Sequence, residues 1–143
     1  RAEVWMSIIF GTRGIVYFVH QFKPTFNEDS LLDNPELLAG ITKINKRVQS
    51  LARVINSPTI AAGATVETSD GAVPIEIMVK KDDGATYVFS VAMNNRETTG
   101  TFHIKDVGNA TAEVIGQDRT IRVKDGAFTD KFQGYGVHLY RIR

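Results

Sequence analysis

The chain has 143 residues, 43% of them hydrophobic, with 17 Lys and Arg against 16 Asp and Glu. That apolar fraction supports a packed core and excludes intrinsic disorder. The balanced charge has no run of one sign and leaves no electrostatic footprint for nucleic acid or an anionic membrane surface. Cysteine is absent, which excludes disulfides, thiolate metal sites and a cysteine nucleophile.

No signal-peptide pattern opens the sequence, which starts at Arg1 as a processed protein, a tag scar or a fragment does. Residues 1–58 read as helix, strand, helix. Val4, Trp5, Ile8 and Ile9 recur at helical spacing, and Gly11 stands where a helix ends in positive φ. Ile15 to Phe22, IVYFVHQF, is β-branched and aromatic and apolar on both faces up to His20, the pattern of a parallel strand covered on both sides. Its apolar run from Ile15 to Val19 is the longest in the chain and far too short to span a bilayer. A helix opens at LLDNPE, with Asn34 as N-cap, Pro35 in the first position and Glu36 at the positive end of the dipole. Leu37, Ile41, Ile44, Val48, Leu51 and Ile55 then form one apolar stripe, and Asn56-Ser57-Pro58 ends it.

From residue 59 the period drops to two. Strands are expected at Ala64–Ser69, Ile75–Lys81, Thr86–Met93, Gly100–Ile104, Ala112–Ile115, Thr120–Val123, Ala127–Phe132 and Val137–Ile142, with turn signals between them. Eight such strands predict an antiparallel β-sandwich. The expected fold class is therefore α/β plus all-β, with a boundary between residues 58 and 59. The front half has one strand and no neighbour for it, and each unpaired buried backbone group costs roughly 1–3 kcal/mol. The expectation is that its sheet lies outside this sequence, and that residues 1–58 are the last helix–strand–helix unit of a larger α/β domain.

The run RAEVWMSIIFGTRGIVYFVHQFKP, continuing to LARVINSP, resembles the closing part of a (β/α)8-barrel glycoside hydrolase of the retaining, cellulase-like superfamily. The stretches PIEIMVKKDDGATYVFSVAMN and GYGVHLYRI look like the β-sandwich that often follows such barrels. The resemblance implies that residues 1–58 are the terminal segment of a TIM-barrel domain, ending in strand eight and helix eight, and that residues 59–143 are a C-terminal sandwich. It implies cleavage of β-glycosidic bonds in oligo- or polysaccharides by double displacement, and a secreted or periplasmic parent. Retaining enzymes of this kind use two carboxyl groups. The resemblance places both upstream of Arg1, on the remaining barrel chain, so that no catalytic residue lies in this segment. Glu3 falls on the helix before the strand, away from the catalytic face.

Barrel active sites form at the C-terminal ends of strands and in the loops that follow. On that reading His20, Gln21, Phe22, Phe26 and Glu28 are the candidate substrate-binding residues, with Asp29 beside them. Aromatic faces stack on pyranose rings and polar groups bond hydroxyls. The competing reading makes His20 a packing residue, Phe22 and Phe26 loop packing, and Glu28 and Asp29 a solvated loop. Trp5 reads as core rather than as a sugar platform. Tyr87, Phe89, Val91 and Met93 share one strand face, and with Phe102, Phe128, Phe132, Tyr135 and Tyr140 they read chiefly as core. An exposed row of them would instead mark a noncatalytic carbohydrate-binding module, the alternative function. A further alternative is a structural module whose strand is completed by another copy. His103 and His138 read as isolated surface or interface residues. Asp70-Gly71, Asp83-Gly84 and Asp125-Gly126 read as hairpin signals, since the spacing of a calcium loop is absent. His20 has no partner histidine at ligand spacing, and neither a Walker loop nor a serine elbow occurs. No metal, cofactor, nucleic-acid or membrane partner is expected.

Overall fold

Each of the eight period-two segments forms a strand in the computed structural model, which describes residues 1–143. In chain order they are β1 (Ala64–Thr68), β2 (Ile75–Asp82), β3 (Ala85–Ala92), β4 (Thr98–Ile104), β5 (Ala110–Val114), β6 (Arg119–Val123), β7 (Ala127–Phe132) and β8 (Val137–Ile142). They pair antiparallel throughout, as a three-stranded sheet ordered β1-β4-β7 and a five-stranded sheet ordered β2-β3-β8-β5-β6.

Turn chemistry sets this connectivity. Asp83 and Gly84 both take positive φ (48° and 71°), as do Asp125 and Gly126 (50° and 76°), the two-residue geometry whose twist suits a tight hairpin. The second of these turns passes the chain from the five-stranded sheet to the three-stranded one. At Gly126 a Cβ would lie 2.6 Å from the Val107 carbonyl oxygen, so a side chain is barred by space as well as by φ. Asp70-Gly71 behaves differently from a hairpin signal. It connects β1 to β2 in the other sheet, and the Asp70 carboxylate accepts the Ala72 N–H at 2.9 Å.

The sheets enclose a core of Val73, Val88, Phe102, Phe128, Phe132, Tyr140 and their neighbours. Phe102 stacks on Phe128 at 4.8 Å between centroids, and Tyr140 meets both rings edge-on at 5.4 and 5.0 Å. The five-stranded sheet is apolar on its other face too. Tyr87, Phe89 and Val91 of β3 and Val137 and Leu139 of β8 pack there against two helices, α1 (Ala2–Ile9) and α3 (Ala52–Ile55). Trp5 is 1% exposed and lies over Phe89 at 5.8 Å, so it is core, as its helical spacing predicts. Of the other candidate core aromatics only Tyr135 is exposed, at 47%.

The expected helix–strand–helix unit is absent, and the α/β part of the fold class is thereby corrected: the chain is an antiparallel β-rich structure with three short helices. Ile15–Phe22 forms no strand. Its side chains alternate, with Ile15, Tyr17 and Val19 half-buried and Val16, Phe18 and His20 outward, yet no backbone group from Arg13 to His20 enters a backbone–backbone hydrogen bond. Periodicity prescribes an extended backbone; a strand also needs a neighbour, and the eight downstream strands pair with one another and none with this segment. The second helix also differs from its stripe. It breaks at Leu51 into α2 (Pro35–Ser50) and α3, and α2 buries no residue fully because α1 and α3 already cover the sheet. Its start is as the sequence predicts: the Asn34 side chain accepts the Leu37 N–H at 3.0 Å and Pro35 is the first helical residue.

Replacing Trp5 by Ala should remove the ring that joins α1 to the sheet and cost ~3–5 kcal/mol. Since Trp5 is the sole tryptophan, urea unfolding is to be followed by far-UV circular dichroism. A loss below ~1 kcal/mol would mean that α1 does not depend on this contact.

Candidate functional site

Residues 15–34 lie outside both sheets, and their loop is braced by its own backbone. Gln21 and Asn27 exchange N–H···O=C bonds of 2.9 and 2.8 Å. The Asn27 side chain accepts the Asp29 N–H at 2.9 Å and donates to Asp33 at 2.8 Å. The Ser30 hydroxyl donates to the Val19 carbonyl at 2.6 Å. Across the base, the Tyr17 hydroxyl donates to Asn45 of α2 at 2.9 Å. These bonds hold a loop with almost no buried side chains.

The loop gathers aromatic rings on its outer side. Phe18 lies 5.5 Å from His20 and 5.8 Å from Phe22, and Phe26 lies 6.0 Å from His20 and 5.6 Å from Phe22. Phe18, Phe22 and Phe26 are 74%, 65% and 57% exposed. Three of the five candidate residues, His20, Phe22 and Phe26, are thus brought together. Gln21 is spent locally, donating from its amide to the Lys23 carbonyl at 2.7 Å. Glu28 is exposed and enters no side-chain hydrogen bond or ion pair. Phe18 was not among the candidates, although its two-residue spacing from His20 puts it on the same side of an extended chain. The four rings form an exposed aromatic platform, suited to stacking against a flat C–H face.

A separate cleft lies away from the rings. It measures about 700 Å³ between α1, α2 and the β5–β6 turn and is lined by Arg1, Trp5, Tyr17, Leu37, Ile44 and Arg47 among others. None of the five candidates lines it. Arg1 donates to the Val137 carbonyl at 3.0 Å, and burial, with the nearby Arg47 charge, lowers its pKa. The ring platform is the stronger candidate because its rings are open to a ligand, whereas the cleft's largest ring, Trp5, is spent on Phe89.

A second polar cluster joins the sheets. The Asp130 carboxylate of β7 receives both arms of the Arg119 guanidinium at 3.0 and 2.7 Å, the Tyr140 hydroxyl at 2.8 Å and the Lys131 N–H at 2.9 Å. His138 Nδ1 lies 2.8 Å from the same carboxylate, and its ring stacks on Phe132 at 4.2 Å. His138 is therefore an inter-sheet residue with only 12% of its side chain exposed, which decides its surface-or-interface reading for an interface and corrects only its isolation; His103 is exposed. Burial pushes the Asp130 carboxyl up, but hydrogen bonds from His138, Arg119 and Tyr140 outweigh it and hold the group well below the usual carboxylate range. Burial and the Asp130 charge push the Tyr140 phenol up. The His138 ring contacts Asp130 and Tyr140, and the hydroxyl of its strand neighbour Ser90 donates to the His138 backbone carbonyl, so the geometry is that of a clasp. Sequence spacing gave no signal for it, because the four side chains come from three strands in two sheets.

No protein-family model and no curated protein matches the chain.

Asp130→Asn should lower stability by ~2–4 kcal/mol, by leaving Arg119 and Tyr140 poorly paired. Because the folded pKa of Asp130 is depressed, its contribution is present above the unfolded value of about 3.9 and is lost as pH falls below it. Urea midpoints between pH 7 and pH 2 should therefore fall more steeply for the parent than for the variant. Parallel curves would assign acid sensitivity to other carboxylates.

Proposed function

We propose that residues 1–143 are a noncatalytic segment of a retaining glycoside hydrolase acting on β-glycosidic bonds of oligo- or polysaccharides. In this reading the β-sandwich stabilises the enzyme, and the loop from His20 to Glu28 supplies part of the cleft wall. The carboxylate pair comes from polypeptide outside residues 1–143. The observation that carries the reading is the exposed platform of Phe18, His20, Phe22 and Phe26. Pyranose rings present a C–H face that stacks on such rings. The resemblance of PIEIMVKKDDGATYVFSVAMN and GYGVHLYRI to the β-sandwich of cellulase-like enzymes supports the same substrate class. The alternative of a binding face on the sandwich itself loses its basis, since the sandwich aromatics other than Tyr135 are buried.

The natural polypeptide that carries this sequence, purified intact, should hydrolyse members of a panel of β-linked oligosaccharides with retention at the anomeric carbon, read by proton NMR. Phe22→Ala with Phe26→Ala should raise KM by about 5–20-fold with less effect on kcat, the sign of lost binding common to ground and transition states. The 143-residue chain alone should give no turnover. Turnover by that chain, or inactivity of the natural polypeptide across the panel, overturns the proposal.

A further inference from the structure

We infer that the cleft between α1, α2 and the β5–β6 turn binds an aliphatic monocarboxylate, its carboxylate on the guanidinium groups of Arg1 and Arg47 and its chain along α2. Backbone holds both guanidinium groups in place. Arg1 donates one N–H to the Val137 carbonyl at 3.0 Å. Arg47 lies over the β5–β6 turn at Gly116, where a Cβ would stand 2.5 Å from Arg47 Nη2 and 3.1 Å from its Cζ. Glycine at 116 thus leaves the room that this guanidinium occupies. Neither arginine forms an ion pair with a carboxylate of the chain. Burial lowers the Arg1 pKa and the Arg47 charge lowers it further, so the two cations share one neighbourhood without a counter-ion. Their remaining N–H groups match the planar fork of a carboxylate.

Charge and wall chemistry choose the ligand. Arg1, Lys43 and Arg47 line the cleft against Glu3 and Glu36, an excess of one positive charge that a monoanion neutralises. A phosphomonoester carries about 1.5–2 negative charges, exceeds that excess and is set against the two glutamates. The apolar wall is chiefly aliphatic, with Leu37, Ile41 and Ile44 of α2 beside Ile115 and Leu139. The two rings in it are engaged elsewhere, Trp5 stacked on Phe89 and Tyr17 bonded through its hydroxyl to Asn45. Leu37 is left 50% exposed, and an alkyl chain lying along α2 removes it from water. A volume of about 700 Å³ is in the range that holds a small molecule.

Trp5 is the sole tryptophan and lines the cleft, so its emission reports occupancy. Decanoate titrated into the 143-residue chain near neutral pH should shift that emission saturably, with one site per chain by calorimetry and a Kd on the order of 10–100 μM. Decanol and decyl phosphate should bind the parent about 10-fold or more weakly, and Arg47→Met should weaken decanoate by a similar factor. Lys46→Met, which removes a cation of α2 outside the cleft, should bind decanoate as the parent does. Far-UV circular dichroism checks the fold of each variant, and the comparison of decanoate with decanol on the parent needs no variant. Absence of saturable binding overturns the inference, as do equal affinities for decanoate and decanol, or a folded Arg47→Met variant that binds like the parent. Tighter binding of decyl phosphate overturns the carboxylate assignment. Calorimetry on the intact natural polypeptide should find the same site; its loss there also overturns the inference, because other polypeptide then fills the cleft. No residue of the ring platform lines the cleft, so decanoate binding and hydrolysis stand or fall separately.

Discussion

Everything else in this molecule depends on the double-sided burial of β3. All eight of its residues are buried, with Val88 and Ala92 facing the three-stranded sheet and Tyr87, Phe89 and Val91 facing the helices. A sheet that is apolar on both faces has to be covered twice. The three-stranded sheet provides one cover and α1 with α3 provides the other. This requirement fixes where the N-terminal third of the chain can lie, because α1 and α3 are held to β2 and β3 by the same apolar surface that β3 presents.

The helical cover ends before the chain does. Once α1 and α3 are seated, the sheet has no apolar surface left for the whole of α2 or for the residues between α1 and α2. Ile41, Ile44 and Val48 are half-buried, while Leu37 and Val16 face outward. The extended segment and its ring platform are thus a remainder: apolar surface in a conformation that the rest of the chain does not bury. Soluble proteins seldom keep contiguous apolar patches without a use for them. The proposed function takes this remainder as its starting point and assigns its ring-bearing loop to sugar.

The Asp130 clasp works on the opposite principle. Its groups are ionic or polar and are nearly all satisfied, and it spans the two sheets where the aromatic stack alone would allow them to slide. Arg119 of β6, Asp130 of β7 and His138 with Tyr140 of β8 meet at one carboxylate. A polar junction of this kind is worth little as net energy against an apolar equivalent, but it tolerates only one register. The flanking hairpin at Asp125-Gly126, which takes the chain from one sheet to the other, brings Arg119 and Asp130 within reach of each other.

Local signals in the sequence determined the elements of this protein: eight strands from period-two burial, Asn34 and Pro35 at the start of a helix, Trp5 in the core, and type-specific turns at Asp83-Gly84 and Asp125-Gly126. These depend on residues within a few positions of one another, so a single sequence carries them. Ring-bearing residues at 20, 22 and 26 were legible as a candidate site for the same reason. Only the tertiary structure decided that Ile15–His20 enters no sheet, that the long apolar stripe breaks at Leu51, and that His138 serves Asp130. Each of those outcomes turns on which distant surface is available to pair with or to cover a segment. Hydrogen-bond partners and burial are properties of the whole chain in space, and periodicity along the sequence does not carry them.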